Sequence, residues 1–552
     1  MRNPKSPIPA APPPSPPAAS RPEGRPAGRE WVELNDAFRR ALDLLENSNR
    51  PVFITGRAGT GKSTLLEYFR ETTGKRVVVL APTGVAALNV RGQTVHSFCR
   101  FKPDITLDKV KKLRLRRGEG SVYRNLETVV IDEVSMVRAD LLDCVEKFLR
   151  LNGPRPREPF GGLQMVFIGD LYQLPPVVTA AEKSLFAAPY ETPYFFSARA
   201  MDGLAGRMEY VELEKVYRQT EADFIGLLNG VRNRSISDDD LGRLNARTDP
   251  EFVPADDDFA VVLTATNDLA AARNGEKLAR LPGSPRRYAG LVEGEFDRSS
   301  FPTDEVLELK VGAQVMLLTN DPQGLWVNGT IGKIIGLVED EGGADRVAVE
   351  LRDGAVVEVG PHLWELFRFQ HEAEADKIVS EPVGSFTQYP LKLAWAMTIH
   401  KSQGKTFDRV VVDLGRGAFA HGQVYVALSR CTSFEGLVLR RPVDRRHLRM
   451  DWRVVKFLTR FQTSKAEEKM GPAEKRRLVR EAISEGRDLE IHYLKPDDTK
   501  SRRRIRPESI EEMEYAGRRF EGVRAYCHER EDMRTFKIDR MLEVKILGPR
   551  RP

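Results

Sequence analysis

Apolar residues first recur at helical spacing in ELNDAFRRALDLLE (33–46), where Leu34, Phe38, Ala41, Leu42 and Leu45 share one face. Four short apolar runs follow: PVFIT at 51–55, RVVVLA at 76–81, TVVI at 128–131 and MVFI at 165–168. Runs that are apolar on both faces, with helical patterns between them, predict the strands of a parallel sheet in an α/β fold. A second series, VVLTAT at 261–266, RVVVDL at 409–414 and GLVLR at 436–440, predicts a second sheet of the same kind. Between its members lie Gly-rich, turn-rich stretches such as WVNGTIGKIIG (326–336), which predict a small inserted β unit at about 320–390. After about residue 465 the pattern changes. LVREAISEGR (478–487) reads as a helix, and DLEIHYL, RFEGVRAYC and RTFKIDR alternate as the strands of a small β-rich unit. The expected organisation is a Pro/Ala-rich tail at 1–30, one α/β lobe at 31–250, a second at 251–460, a polar linker at 461–474 and a C-terminal domain at 475–552.

A chain of 552 residues is long enough for several such cores. The net charge of +6 is mild, so its distribution matters more than its size. Lys and Arg crowd residues 99–124 against only Asp104, Asp108 and Glu119, and a second cluster, SRRRIRP, lies at 501–507. Both are candidate polyanion contacts, although a charge run is commonly just a solvated face. No apolar run approaches bilayer length, so no membrane association is expected. Cys99, Cys144, Cys431 and Cys527 form no CxxC pair, which argues against structural zinc and fits a reducing cytoplasm. The tail at 1–30 lacks an apolar h-region and reads as disordered, not as a signal peptide.

GRAGTGKS, Gly56 to Ser63, stands between an apolar strand and an apolar helix and matches the G-x-x-x-x-G-K-[ST] phosphate loop. Gly56, Ala58, Gly59, Thr60 and Gly61 supply backbone N–H groups to phosphates, and the helix opening at Lys62, Ser63 and Thr64 adds its positive end. Lys62 is expected at the β and γ phosphates and the Ser63 hydroxyl at Mg²⁺. TVVIDEVSM (128–136) carries Asp132 to a strand end as the second magnesium ligand, with Glu133 placed to activate water. VFIGDLYQLPPV (167–178) offers Gln173 to the γ-phosphate and Asp170 in a structural role. A second Gly-Lys-Thr occurs at 404–406, in MTIHKSQGKTFDR. A phosphate loop there would need glycine at 399, where the chain has Ile399, so this is not a second nucleotide site.

GRAGTGKST, APTGVAALNVRGQTVHSF (81–98), VVIDEVSM, FGGLQMVFIGDLYQLPPV (160–177), LEKVYRQ (213–219), MTIHKSQGKTFDRVVVDL and QVYVALSRCTS (423–433) occur in that order. Over roughly 31–460 the set resembles PIF-type DNA helicases, in superfamily one beside RecD-like enzymes. The resemblance implies two RecA-like lobes with ATP and Mg²⁺ between them, and a 5′→3′ motor on single-stranded DNA that unwinds forked or 5′-tailed duplexes as a monomer. It implies that Arg218 and Arg430 are arginine fingers and that Gly404 belongs to the segment sensing the nucleotide. It places Thr83, His96 and Phe98 of the first lobe, and Thr398, His400 and Lys401 of the second, on the DNA strand. It puts Phe101 and the 99–124 cluster at the fork, and it implies that the inserted β unit is SH3-like. The chain departs from the family in one respect. The glutamine that reads adenine before the phosphate loop is absent from LNDAFRRAL, so ATP use with relaxed base selectivity is expected.

IHYLKPD (491–497), RRRIRPESI (502–510), VRAYCHER (523–530) and MRTFKIDRM (533–541) resemble a WYL domain, an Sm-like β fold. The signature triplet itself reads Ala525-Tyr526-Cys527. This second resemblance implies a basic groove for single-stranded nucleic acid or a nucleotide-like regulatory ligand, with Arg504, Arg506, Tyr526, Arg534 and Arg540 as candidate contacts. The pairing of the two modules points to a bacterial cytoplasmic protein. Two alternatives stay open in the sequence: a ligand-sensing ATPase switch that does not unwind, and a motor acting mainly on RNA or RNA–DNA hybrids.

Overall fold

The computed structural model describes residues 34–548 apart from 116–120, 179–181, 183–188, 205, 256, 339–344, 373, 416–419 and 516. The tail expected at 1–30 and part of the basic segment 99–124 therefore lie outside the described residues.

The first helix, Asp36–Asn47, starts where the Asn35 side chain accepts from the Phe38 N–H at 3.0 Å, an N-cap of the expected chemistry. Its Phe38, Ala41 and Leu45 are buried against one face of a six-stranded sheet, while Leu34 and Leu42 pack at the margin. That sheet is parallel throughout, in the order Gln93–Thr94, Val77–Ala81, Thr128–Ile131, Gln164–Ile168, Val52–Gly56, Glu209–Leu213. Helices cover both faces, which is why the apolar runs of its central strands show no alternation.

The second sheet is also parallel: Ala396–Thr398, Val261–Thr264, Val410–Asp413, Leu437–Leu439. Between its first two strands in the chain, Val261–Thr264 and Ala396–Thr398, runs an antiparallel insertion larger than the sequence pattern suggests. It already starts with Arg286–Ala289 and Leu291–Gly294, whose residues are mostly exposed and so carry little apolar signal. Its five-stranded sheet buries Val315, Leu317, Ile334, Val347 and Val349. Its long hairpin, His362–Glu372 with Lys377–Gln388, reaches back to the first lobe. There His371 Nδ1 lies 3.0 Å from Asn125 Nδ2, and Phe369 meets Phe98 edge-on at 6.3 Å.

The stretch read as a linker at 461–474 is helical instead. Helix Trp452–Lys469 runs through most of it, and Pro472 opens the helix Pro472–Ser484. Most of the polar residues that suggested a linker lie on the solvated side of these helices, although Gln462 is buried. The apolar face, with Val454, Val455 and Leu458, packs into the first-lobe core, and Phe457 stacks on Phe196 at 4.4 Å. The C-terminal five-stranded antiparallel sheet follows, in the order Asp532–Lys537, Arg518–Cys527, Lys500–Tyr515, Leu489–Leu494, Met541–Ile546. Its core of Ile491, Ile505, Val523, Ala525 and Met541 is closed by Val479 and Ala482 of the preceding helix. Among the described residues, no helix is long and apolar enough to cross a membrane.

Candidate nucleotide and nucleic-acid site

The loop after Val52–Gly56 turns through Gly59 at φ 78° and Gly61 at φ 85° before the helix Lys62–Thr72 begins. Glycine at 59 is required twice: its φ is left-handed, and a Cβ there would come within 2.4 Å of the Arg218 Cβ. Ala58, Gly59, Thr60, Gly61, Lys62, Ser63 and Thr64 line a cavity of about 470 Å³, together with Glu133, Gln173, Arg218, Gly404 and Arg430. The cavity thus gathers most of the residues expected at the nucleotide. Gly56 is set back, its carbonyl accepting from Lys62 Nζ at 2.7 Å, with the Arg57 carbonyl at 3.0 Å. Burial lowers the Lys62 ammonium, opposed by Asp170, Glu133 and Asp132.

Strand Thr128–Ile131 ends by delivering Asp132, whose N–H donates to the Leu80 carbonyl at 2.8 Å. Burial, reinforced by neighbouring Glu133, pushes the Asp132 carboxyl up to about 7. Glu133 itself sits in left-handed backbone at φ 49°, which turns it away from the strand and into the cavity. Burial raises its carboxyl too, against the pull of Lys62 and Arg430. Asp170 does not line the cavity. It is fully buried in an ion pair with Arg232 at 3.1 Å and accepts from the Tyr172 N–H.

The segment containing the second Gly-Lys-Thr closes the cavity from the second lobe. Ile399 is fully buried in the second core, and Gly404 at φ 80° lines the cavity. Just before it, the Gln403 amide donates to Glu133 Oε2 at 3.0 Å and to Gln173 Oε1 at 3.1 Å. Arg218 donates to the Gly404 carbonyl at 3.2 Å and the Ser429 carbonyl at 3.3 Å. Arg430, 1% exposed, donates to the carbonyls of Val426 (2.9 Å), Ser402 and Lys405 (both 3.2 Å). Burial and the nearby Arg218 bring its guanidinium down to about 9. Both guanidinium groups therefore rest on carbonyls beside the cavity, where an anion would draw them.

Six residues at this site are not marked as such by the sequence pattern: Gln403, Gln219, Tyr425, Phe38, Tyr217 and Asn35. Gln403 lies inside the segment quoted above, but an amide in a loop says nothing about its partner. Gln219, 3% exposed, holds the carbonyls of Ser429 and Cys431 at 3.1 and 3.0 Å, tying the Arg218 segment to the Arg430 segment. The Tyr425 hydroxyl accepts from the Ala58 N–H at 3.0 Å, across the lobes. Phe38 lines the cavity beside Tyr217, so one wall carries aromatic surface from the helix in which the family's glutamine is missing. Asn35 Nδ2 donates to the Tyr217 hydroxyl at 3.1 Å.

The expected DNA contacts divide. Thr83 is exposed and caps the helix Gly84–Asn89, His96 is half-buried, and Lys401 is exposed beside half-buried His400. Burial lowers the imidazole of both histidines. Phe98 and Phe101 are corrections. They are 3% and 7% exposed, packed edge-on against Tyr123 at 5.1 Å and Phe148 at 5.6 Å, so neither ring offers a face to a base. The helical turns around them, Leu107–Val110 and Ser121–Asn125, need those rings as core, whereas Lys102, Lys111, Lys112 and Arg114 remain exposed. Thr398 is a correction as well: it is 4% exposed at a strand end, and its hydroxyl accepts from the Lys401 N–H.

In the C-terminal sheet, Lys500, Arg502, Arg504 and Arg506 alternate along one strand and share a face. Arg504 and Arg506 both pair with the buried carboxylate of Asp488, at 2.7 and 2.9 Å. Arg502 pairs with Glu490 and Lys500 with Glu212 and Glu214. The stripe is thus balanced by carboxylates and does not form the free basic groove expected from its sequence. Tyr526 meets His528 edge-on, Arg540 donates to the Leu494 carbonyl at 3.3 Å, and exposed Arg534 lies 3.9 Å from Asp532.

Comparison with known proteins agrees with this architecture. Residues 33–241 match the PIF1-like helicase family model, 297–337 the DNA helicase Pif1 2B domain, 369–458 a helicase model and 474–546 the WYL domain. The chain is 36% identical to human ATP-dependent DNA helicase PIF1 over 416 residues, 74% of this chain and 60% of that protein. It is 30% identical to the Saccharomyces cerevisiae ATP-dependent DNA helicase RRM3 over 512 residues, 79% of this chain and 68% of that protein. The chain thus spans about 60% of the length of the curated PIF1 relatives it matches. Bacteroides sp Pif1 in complex with ADP-AlF4 superposes with a TM-score of 0.71 at 33% identity, covering 78% of this chain and 98% of that one. The same protein unliganded gives 0.69 at 33% identity, covering 79% and 97%; bound to single-stranded DNA it gives 0.53, covering 77% and 96%. With its motifs in family order, most of them lining one cavity, and the solved Pif1 structure covered almost end to end, the chain belongs to the PIF1-like helicase family and carries a WYL domain at residues 474–546.

Proposed function

We propose that this protein is an ATP-dependent DNA helicase that translocates 5′→3′ on single-stranded DNA and unwinds forked or 5′-tailed duplexes. The observation that carries the proposal is the convergence of Lys62, Glu133, Gln173, Arg218 and Arg430 on one cavity, with Gly404 of the second lobe in its wall. A nucleotide there would touch both lobes, so binding and hydrolysis would change their separation. In this reading Lys62 and the loop amides hold the phosphates, Glu133 orients and deprotonates water, Gln173 contacts the γ-phosphate, and Arg218 with Arg430 offsets developing charge.

Ser63 and Asp132 together present a hydroxyl and a carboxylate, the hard oxygen donors that Mg²⁺ takes alongside phosphate oxygens and water. Among the described residues no cluster of three metal-ligating side chains occurs, so any cation here would depend on the nucleotide for most of its ligands. Magnesium would supply charge neutralisation on the transferred phosphoryl.

The proposed division follows the sheets: lobes at 31–250 and 251–460, the second carrying the antiparallel insertion, then the WYL domain. DNA would run across both lobes past Thr83, His96, His400 and Lys401. We place the protein in the bacterial cytoplasm as a monomer, on the pairing of a PIF1-like motor with a WYL domain.

The test is ATP hydrolysis with and without single-stranded DNA, followed by unwinding of 5′-tailed against 3′-tailed duplexes. Strong stimulation with unwinding only from the 5′ tail is expected. Hydrolysis without stimulation or unwinding would instead make the protein an ATPase switch.

A further inference from the structure

One turn of the C-terminal sheet grips two segments that lead into the nucleotide cavity. Between the strands Leu489–Leu494 and Lys500–Tyr515, Asp498 adopts φ 64°. Its carboxylate accepts from the Tyr172 hydroxyl at 3.0 Å and from Gln462 Nε2 at 2.7 Å. Glycine or asparagine meets a positive φ at least as well, so the turn itself does not require the carboxylate that these two donors use. Tyr172 directly precedes Gln173, and its ring lies 3.8 Å beneath the Arg232 guanidinium. Two residues beyond Asp498, Lys500 donates to Glu212 and Glu214, both at 2.7 Å. Glu212 belongs to the edge strand Glu209–Leu213, and Arg218 follows Glu214 by four residues. The same turn is therefore bonded beside the expected γ-phosphate contact and beside the expected arginine finger.

Resting on the roles given above to Gln173 and Arg218, we propose that Asp498 and Lys500 are positioning residues of the nucleotide site. By fixing Tyr172 and the Glu212–Glu214 segment they seat Gln173 and Arg218, so full ATP turnover requires the WYL domain to be docked on the first lobe. The basic stripe that begins at Lys500 is engaged in this docking at its first residue, and its later cations are held within the WYL sheet itself.

The test uses the full-length protein. Lys500→Glu sets a carboxylate against Glu212 and Glu214 and releases the turn. It is expected to lower kcat for ATP roughly 3- to 30-fold through misplacement of groups at the phosphate. KM for ATP should stay within about twofold, because the phosphate loop is untouched. Asp498→Ala should give the same split, and the charge swap Lys500→Glu with Glu214→Lys should restore kcat. Circular dichroism and thermal unfolding check that the variants are folded. Unchanged or increased kcat in both folded single variants, or a swap that does not restore turnover, would overturn the proposal. A wild-type protein without any ATPase activity would instead refute the function on which it rests, and the two failures are told apart by that control.

Discussion

Gln403→Ala isolates what the second lobe contributes to the chemistry of the first. The Gln403 amide nitrogen is shared by Glu133 Oε2 at 3.0 Å and Gln173 Oε1 at 3.1 Å, both groups at the cavity. A hydrogen bond to a charged group contributes about 1.5–3 kcal/mol, and one between neutral groups about 1 kcal/mol. Removing the amide leaves a buried carboxylate one donor short and frees Gln173. If about 2 kcal/mol of that loss is expressed in the transition state, kcat falls roughly 30-fold, since 1.36 kcal/mol is tenfold. The assay is steady-state ATP hydrolysis at saturating single-stranded DNA, with DNA affinity measured separately by anisotropy. DNA affinity should change little, because the Gln403 amide is engaged with two cavity-lining residues, Glu133 and Gln173. Turnover within about threefold of wild type would refute the argument that this amide organises the base proposed to activate water.

Lys62→Ala should abolish ATP turnover while the protein remains folded; near-normal rates would discard the phosphate-loop assignment. Asp170→Ala strands the Arg232 guanidinium, whose side chain is 5% exposed, and should cost about 3–5 kcal/mol in chemical denaturation; a loss below about 1 kcal/mol would contradict the buried pairing. With Phe38 and Tyr217 in one wall of the cavity, GTP should be hydrolysed within about tenfold of ATP, because stacking on aromatic surface discriminates weakly between bases; strict exclusion of GTP and CTP would show that another group reads adenine. Phe101→Ala should lose about 3–5 kcal/mol of stability yet leave the DNA affinity of the folded fraction unchanged, and a selective loss of DNA binding would restore Phe101 to the interface.

The sequence by itself determined the parts whose signals are local. Apolar runs such as TVVI and MVFI are strands because a sheet covered on both faces leaves no polar alternation. The phosphate loop was legible because its chemistry needs consecutive residues of one chain segment, and the same logic showed that Ile399 excludes a second loop. The tertiary structure decided what depends on distant segments meeting. Gln403 reaches Glu133 across 270 residues and Asp498 reaches Tyr172 across 326, and nothing near either residue in sequence specifies its partner. Phe98 and Phe101 follow the same rule in reverse. Their motif position suggested exposure on the DNA path, but both rings join Val110, Val122, Tyr123 and Phe148 in the first-lobe core and are consumed there. Polar residues at 461–474 mark both a flexible chain and the outer face of a helix, and only packing, such as Phe461 stacked on Tyr210 at the first-lobe core, separates the two. The basic stripe at 500–506 was plain in the sequence, whereas the carboxylates that neutralise it come from the neighbouring strand, the residue leading into it and the first lobe. Pattern along a chain records local geometry and burial; partner choice is set by how folded units dock.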